Sequence, residues 1–165
     1  MTPRPSGGDR DALEVKLRTR LDRLPRERRT LVRSLAAISA DNDLQALVDA
    51  SNAVDEDTIN RVRAIERNFE VLHNFLVEII RLGLELDGSR RHDAPANAPR
   101  DIDELRRSGV LTAVQAKTLV RMHEVRSGLQ HWYPDMVGPE LHQAVTDLLA
   151  SLTPITQALT RWIDG

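Results

Sequence analysis

The chain contains no cysteine. That excludes a disulfide framework, thiolate-bound zinc and a cysteine nucleophile, and it fits a reducing compartment. Aromatic residues are scarce: two Phe, two Trp and a single Tyr. No run of about 18 apolar residues occurs, so no membrane span is expected. The opening residues, Met1 to Gly8, hold no apolar signal region, and a cytoplasmic protein is expected. Lysine is nearly absent, with only Lys16 and Lys117. There is no strand-like alternation, no solenoid repeat and no Gly-rich phosphate loop.

What is present is a chain of 165 residues, enough for one domain with a core of its own. The net charge is −2, unevenly spread. Residues 1–33 carry ten Arg or Lys against five acids, a local +5, which leaves −7 for the remainder. Residues 41–57 hold six acids and no base. Such asymmetry orients a polyanion or a charged partner, although charge runs are more often solvated helix faces.

Apolar spacing predicts helices throughout. Residues 1–8 read as a disordered tail, followed by a single domain over 9–165. Leu13, Leu17, Leu21 and Leu24 repeat at helical steps, and Pro25 is expected to stop or kink that helix. A second helix is expected over 26–38, and a short acidic one over 44–54. Asp55 or Asp57 can cap a long helix over about 57–87, with Val62, Ile65, Phe69, Leu72, Leu76, Ile79 and Leu86 on one stripe that Gly83 interrupts. Residues 88–100 read as a mobile loop, with Pro95 and Pro99 as breakers. Asp101 or Asp103 should start a short helix closed by Gly109. Thr112 should cap the next, over about 113–127, with Val114, Met122 and Val125 inward. Pro139 is expected in the first turn of a last helix that carries Leu141, Val145, Leu148, Leu152, Ile155, Leu159 and Trp162, kinked at Pro154. The expected fold is an all-α antiparallel up-and-down bundle of about five to seven helices. Its apolar stripes exceed what a thin bundle hides, which predicts a symmetric homodimer.

One stretch concentrates chemistry: Arg126, Ser127, Gly128, Leu129, Gln130, His131, Trp132, Tyr133 and Pro134. A His can act as general acid or base near neutral pH. An Arg keeps its proton, and its fork suits a phosphate. Together they suffice for metal-free RNA cleavage, the His handling the 2′-hydroxyl or leaving-group proton and the Arg stabilising the phosphate. Five residues on a regular helix turn through about 500°, so the two side chains would not share a face. A break at Gly128 or near Pro134 would bring them together.

The Arg-x4-His-x-Tyr pattern of Arg126, His131 and Tyr133, before the last helix of an α-bundle, resembles the HEPN superfamily, and within it the HepT-like toxins. The resemblance extends to the run from Leu105 to Leu111 around Gly109 and Val110, and to Glu66, Arg67 and Asn68 in the long helix. It covers about residues 57–160. It implies a metal-independent endoribonuclease toxin of a toxin–antitoxin pair, acting as a homodimer whose Arg-His motifs line one cleft, with no cofactor and no metal ligands. By the same resemblance Arg126 and His131 are catalytic. Tyr133 is then the residue that a cognate nucleotidyltransferase antitoxin modifies with AMP. Ser127 stands where that family commonly has Asn and would be a supporting polar group. The alternative reading is a catalytically inactive module of the same type that binds nucleotide or RNA and docks onto the nucleotidyltransferase. A plain helical adaptor is the third.

The other polar residues have blander readings. Arg67, Asn68 and His73 fit a looser version of the spacing, but they lie inside a long regular helix, where packing is expected for His73. His123 and Glu124 either orient the motif or are exposed. His92 is expected to be solvated. Glu70 and His73 make one Glu-x-x-His pair without a second copy, which excludes a di-metal bundle site.

Overall fold

The structure is a computed structural model that describes residues 7–41, 43–129 and 134–165, with the backbone alone for 7 and 134–137. Its described residues form six helices and no strand: α1 (Gly7–Ala36), α2 (Leu44–Ser51), α3 (Glu56–Asp87), α4 (Ala98–Arg107), α5 (Ala113–Gly128) and α6 (Pro134–Asp164). The all-α bundle expected from the spacing is therefore what is found.

Helix α3 is the centre and touches every other helix. Asp55 caps it, accepting from the Thr58 N–H at 2.8 Å, and Gly88 ends it at φ 83°. That left-handed conformation suits glycine because no Cβ crowds the carbonyl. The α3 stripe of Ile65, Phe69, Leu72, Leu76 and Ile79 is wholly buried. Helix α1 packs along it antiparallel. At one end Arg61 donates to the Ala37 carbonyl at 3.2 Å, and at the other Lys16 meets Glu78 at 3.2 Å. Helix α6 packs on α5 and α2. Arg121 of α5 pairs with Glu140, while Val114 and Ser151 line one shared cleft, so α5 and α6 also run antiparallel.

Several boundaries differ from expectation, each for a physical reason. Pro25 does not end its helix: α1 is continuous from Gly7 to Ala36. Pro25 is exposed, so the Leu21 carbonyl it deprives of a partner can turn to water, while Leu17, Leu24, Leu31 and Leu35 form one unbroken buried seam. Pro99 does not break α4 but sits in its first turn, where a missing N–H costs nothing, and Asn97 caps it by accepting from the Arg100 N–H at 3.1 Å. Pro139 lies inside α6, which starts at Pro134; Pro154 lies inside it as expected. Helix α5 has Gly128 as its last residue, with Leu129 as the C-cap. Val114 points outward and is 72 % exposed, leaving Ala116, Leu119, Met122 and Val125 as the buried face of α5. Of the tail expected over 1–8, Gly7 and Gly8 belong to α1, and residues 1–6 lie outside the described residues.

The loop between α3 and α4 is tied down rather than free. Arg90 donates to Glu85 at 2.8 Å and to the Ala94 and Pro95 carbonyls at 2.8 and 3.0 Å. It also pairs with Asp101 at 3.4 Å. The His92 side chain is solvated as expected, yet its Nδ1 lies 3.1 Å from Glu85.

The stripes that suggested a symmetric dimer are covered within one chain. Among the described residues the exposed large apolar side chains are Val15, Leu44, Val54 and Val114, which do not follow one another along any helix. No described helix is long and apolar enough to cross a membrane.

Gly83 interrupts its stripe for a reason. It is buried, and a Cβ added there would overlap the Trp162 ring of α6. Gly83→Ala is expected to destabilise the fold by about 1–3 kcal/mol through that overlap. Urea unfolding would read the loss. An unchanged midpoint would show that α6 does not close on α3 in this way.

Candidate functional site

The catalytic candidates divide at the end of α5. Arg126 and Ser127 occupy its last turn, both half-buried. His131 and Tyr133 lie outside the described residues, so the expected meeting of Arg126 and His131 lies outside them too. Within them, Arg126 has other company.

Helix α5 is fixed by a capping box. The Gln115 N–H donates to the Thr112 hydroxyl at 3.2 Å, and the Thr112 N–H donates to the Gln115 side-chain oxygen at 2.9 Å. Ala116, Leu119, Met122 and Val125 then face the core. His123 and Arg126, three apart, lie one above the other at the edge of that face. Opposite them on α3 is His73, next to Leu72 in the central stripe and only 4 % exposed.

The two imidazoles meet. His73 Nε2 and His123 Nδ1 are 3.1 Å apart, and the rings stack with centroids separated by 5.3 Å and planes inclined by 26°. His73 Nδ1 lies 3.1 Å from the Asn74 side-chain oxygen. Burial pushes the His73 pKa down to about 4. The Asn74 hydrogen bond opposes this, and the positive charge of His123 and Arg126 adds to it. His123 is lowered as well, by burial first and then by Arg126, against Glu124. Both rings are therefore neutral at pH 7.

Arg126 itself is unusual. Among the described residues its buried Nε has no hydrogen-bond partner, and no carboxylate pairs with its guanidinium. Glu124, its near neighbour, is turned to Arg121 at 3.4 Å. A half-buried cation without a counter-charge is costly, and it is the kind of group that an incoming anion satisfies. Among the described residues no third His, Asp or Glu joins the two rings in an arrangement that could hold a metal ion.

Sequence reasoning set His73 aside as packing and gave His123 at most an orienting role. The structure makes them partners of each other and neighbours of Arg126. The usable signal was the three-residue step from His123 to Arg126, which puts both on one helical face. Nothing in the spacing could pair them with a residue fifty positions earlier. The other half of the looser motif does not join: Arg67 is exposed, and Asn68 donates to the Ser34 hydroxyl between α3 and α1.

The fifth histidine of the chain was missed altogether. His142 of α6 is 0 % exposed, and its Nε2 lies 3.0 Å from the Ser51 hydroxyl. That hydroxyl donates to the Leu47 carbonyl at 3.0 Å, so the His142 ring donates to Ser51 and takes no proton from it. The pair joins α2 to α6, where a Cβ on Gly138 would come within 2.9 Å of Ser51. Burial lowers the His142 pKa, and its Nδ1 is buried without a partner. This is a packing device and not a nucleophile with its base.

A pH dependence follows. Unfolded, His73 titrates near ~6.5; folded, it stays neutral down to about 4. Between those values the unfolded chain binds more protons, so stability is full above about pH 6.5 and is lost as the pH falls toward 4. The His73 contribution is on the order of 3 kcal/mol. Urea unfolding at pH 7.5 and pH 4.5 should show the drop, and His73→Gln, which cannot titrate, should show a smaller one. Equal losses in both proteins would remove His73 as the cause.

The chain matches no family model, no curated protein and no solved structure.

Proposed function

We propose that the protein is a metal-independent endoribonuclease of the HEPN type, the toxin of a toxin–antitoxin pair. The observation that supports this most is Arg126. Its guanidinium is half-buried at the end of α5, without a carboxylate partner among the described residues, and beside imidazoles held neutral. Such a site favours an anion, and the phosphodiester of RNA is the anion that the Arg-x4-His-x-Tyr pattern implies. In this reading Arg126 neutralises the charge that builds on the phosphate, and His131 moves the proton of the 2′-hydroxyl or of the leaving oxygen. Ser127, on the same turn as Arg126, supplies a polar group where the resembled family commonly has an amide. The family resemblance alone carries the remainder of this reading, in which the protein acts as a homodimer and its antitoxin is a nucleotidyltransferase.

Removal of either catalytic group tests the chemistry. Arg126→Ala and His131→Ala should each lower RNA cleavage by about 100-fold or more, with the helical circular dichroism signal retained. Cleavage should continue in EDTA. Full activity in His131→Ala, or loss of activity with chelator, would overturn this mechanism.

Tyr133 provides the second test. AMP on its hydroxyl would place a phosphate near Arg126 in sequence and fill space that RNA needs, and both effects oppose binding of a polyanion. Co-expression with the nucleotidyltransferase should add AMP-sized mass to the wild type and none to Tyr133→Phe, and the Phe variant should remain toxic. Full neutralisation with Tyr133 unmodified would show that the antitoxin works by covering the site instead.

A further inference from the structure

The ribonuclease reading uses Arg126 and His131 and leaves the His73–His123 pair idle. The hydrogen-bond directions in that pair are not arbitrary. The Asn74 side-chain oxygen can only accept, so His73 Nδ1 carries the hydrogen that faces it. A neutral imidazole has one N–H, which makes His73 Nε2 an acceptor. Its partner at 3.1 Å, His123 Nδ1, must then be the donor. By the same count His123, also neutral, is left with a bare lone pair on Nε2. No described residue hydrogen-bonds that atom, and the His123 ring is only half-buried.

The chain of bonds from Asn74 through His73 to His123 thus does what a carboxylate or carbonyl does behind many catalytic histidines. It fixes the tautomer and turns the basic nitrogen outward. The packing makes the arrangement rigid: His73 is buried in the α3 stripe, and the rings are stacked. One turn along α5 stands Arg126, unpartnered at Nε. Among the described residues, the titratable and charged groups that act on the His73–His123 pair are the two rings themselves, and Glu124 and Arg126 on α5.

We propose that His123 is a second catalytic histidine, a proton acceptor acting beside Arg126 on a phosphodiester, with His73 and Asn74 as its positioning residues. This rests on the ribonuclease reading and adds to it a base that the Arg-x4-His pattern does not contain. In cleavage, His123 Nε2 takes the proton of the 2′-hydroxyl as that oxygen bonds phosphorus. The bond from phosphorus to the 5′-oxygen breaks, and the leaving oxygen takes its proton from the acid that the ribonuclease reading assigns to His131. Solvent then carries the proton gained by His123 back to that acid, so both groups return to their starting states. The products are a 2′,3′-cyclic phosphate and a 5′-hydroxyl end.

Two measurements on the full chain test this and separate it from its parent reading. The first is nitrogen NMR of the histidine side chains at pH 7. His123 should be the Nδ1–H tautomer, and inorganic phosphate should shift its Nε2 resonance. An Nε2–H tautomer, or no phosphate shift, overturns the proposal whether or not the protein cleaves RNA. The second is RNA cleavage. His123→Asn keeps a donor toward His73 but no titrating base, and it should lower kcat about 100-fold or more. His73→Leu should lower kcat and displace the pH profile, whereas His73→Gln, which keeps an acceptor at the Nε2 position, should restore both. Wild-type kcat in His123→Asn, with His131→Ala inactive, would sink His123 as the base and leave the ribonuclease reading standing. A wild type that cleaves no RNA would sink the ribonuclease reading. A phosphate shift at His123 in that case would sustain the anion-facing base alone.

Discussion

The continuous apolar seam of α3 is the constraint from which the rest follows. Ile65, Phe69, Leu72, Leu76 and Ile79 lie on one face across four turns, and each is fully buried. Burial on that scale stabilises by roughly 1.5–3 kcal/mol per large side chain. It exceeds the few tenths to few kcal/mol that a single proline or glycine withdraws locally. This is why α1 runs through Pro25. Breaking α1 there would strip Leu31 and Leu35 from the seam, while keeping it costs one hydrogen bond on the side that faces water. Gly83 shows the same priority from the opposite direction. A gap in the α3 stripe is not a weakness when the Trp162 ring fills it.

That hierarchy explains which parts of the fold were legible. Helix type follows from periodicity, and the caps at Asp55 and Thr112 follow from side-chain chemistry that acts over two or three residues. Proline positions were misread because their cost depends on which way the residue faces. Pro25 is outward, and Pro99 is at a first turn. Val114 was misread for a related reason. A lone Val at the start of a helix fits the inward period, but Ala116 and Leu119 set the buried face half a turn away.

The site was legible only along the chain. Arg126 stands out by its motif, and its position in the last turn of α5 could be read from the spacing. Its neighbours could not, because His73 meets His123 across fifty residues and only the packing of α3 on α5 supplies that contact. The Ser51–His142 bond is the same lesson at greater range, ninety-one residues apart. The basic bias of residues 1–33 was legible as composition and less so as function. Lys16 and Arg20 are spent on Glu78, Arg18 on Glu14 and Asp164, and Arg20 and Arg23 lie over the Phe75 ring.

The contrast between those arginines and Arg126 carries the functional argument furthest. On α1 the cations are mostly at the surface and draw on nearby acids or an aromatic face, which is ordinary solvated-face behaviour worth little each. Arg90 is buried, and it is fully satisfied by Glu85, Asp101 and two carbonyls, as a structural buried cation must be. Arg126 follows neither pattern. It is half-buried, its Nε has no partner among the described residues, and the nearby rings of His73 and His123 are kept neutral by burial and by its own charge. A fold that needed Arg126 only for stability would place a carboxylate there, as it does for Arg90. Keeping the charge open at the edge of the α3–α5 contact preserves both the electrostatic attraction for an anion and the unprotonated state of the imidazoles beside it, because a fixed carboxylate would cancel the first and raise the pKa of the rings.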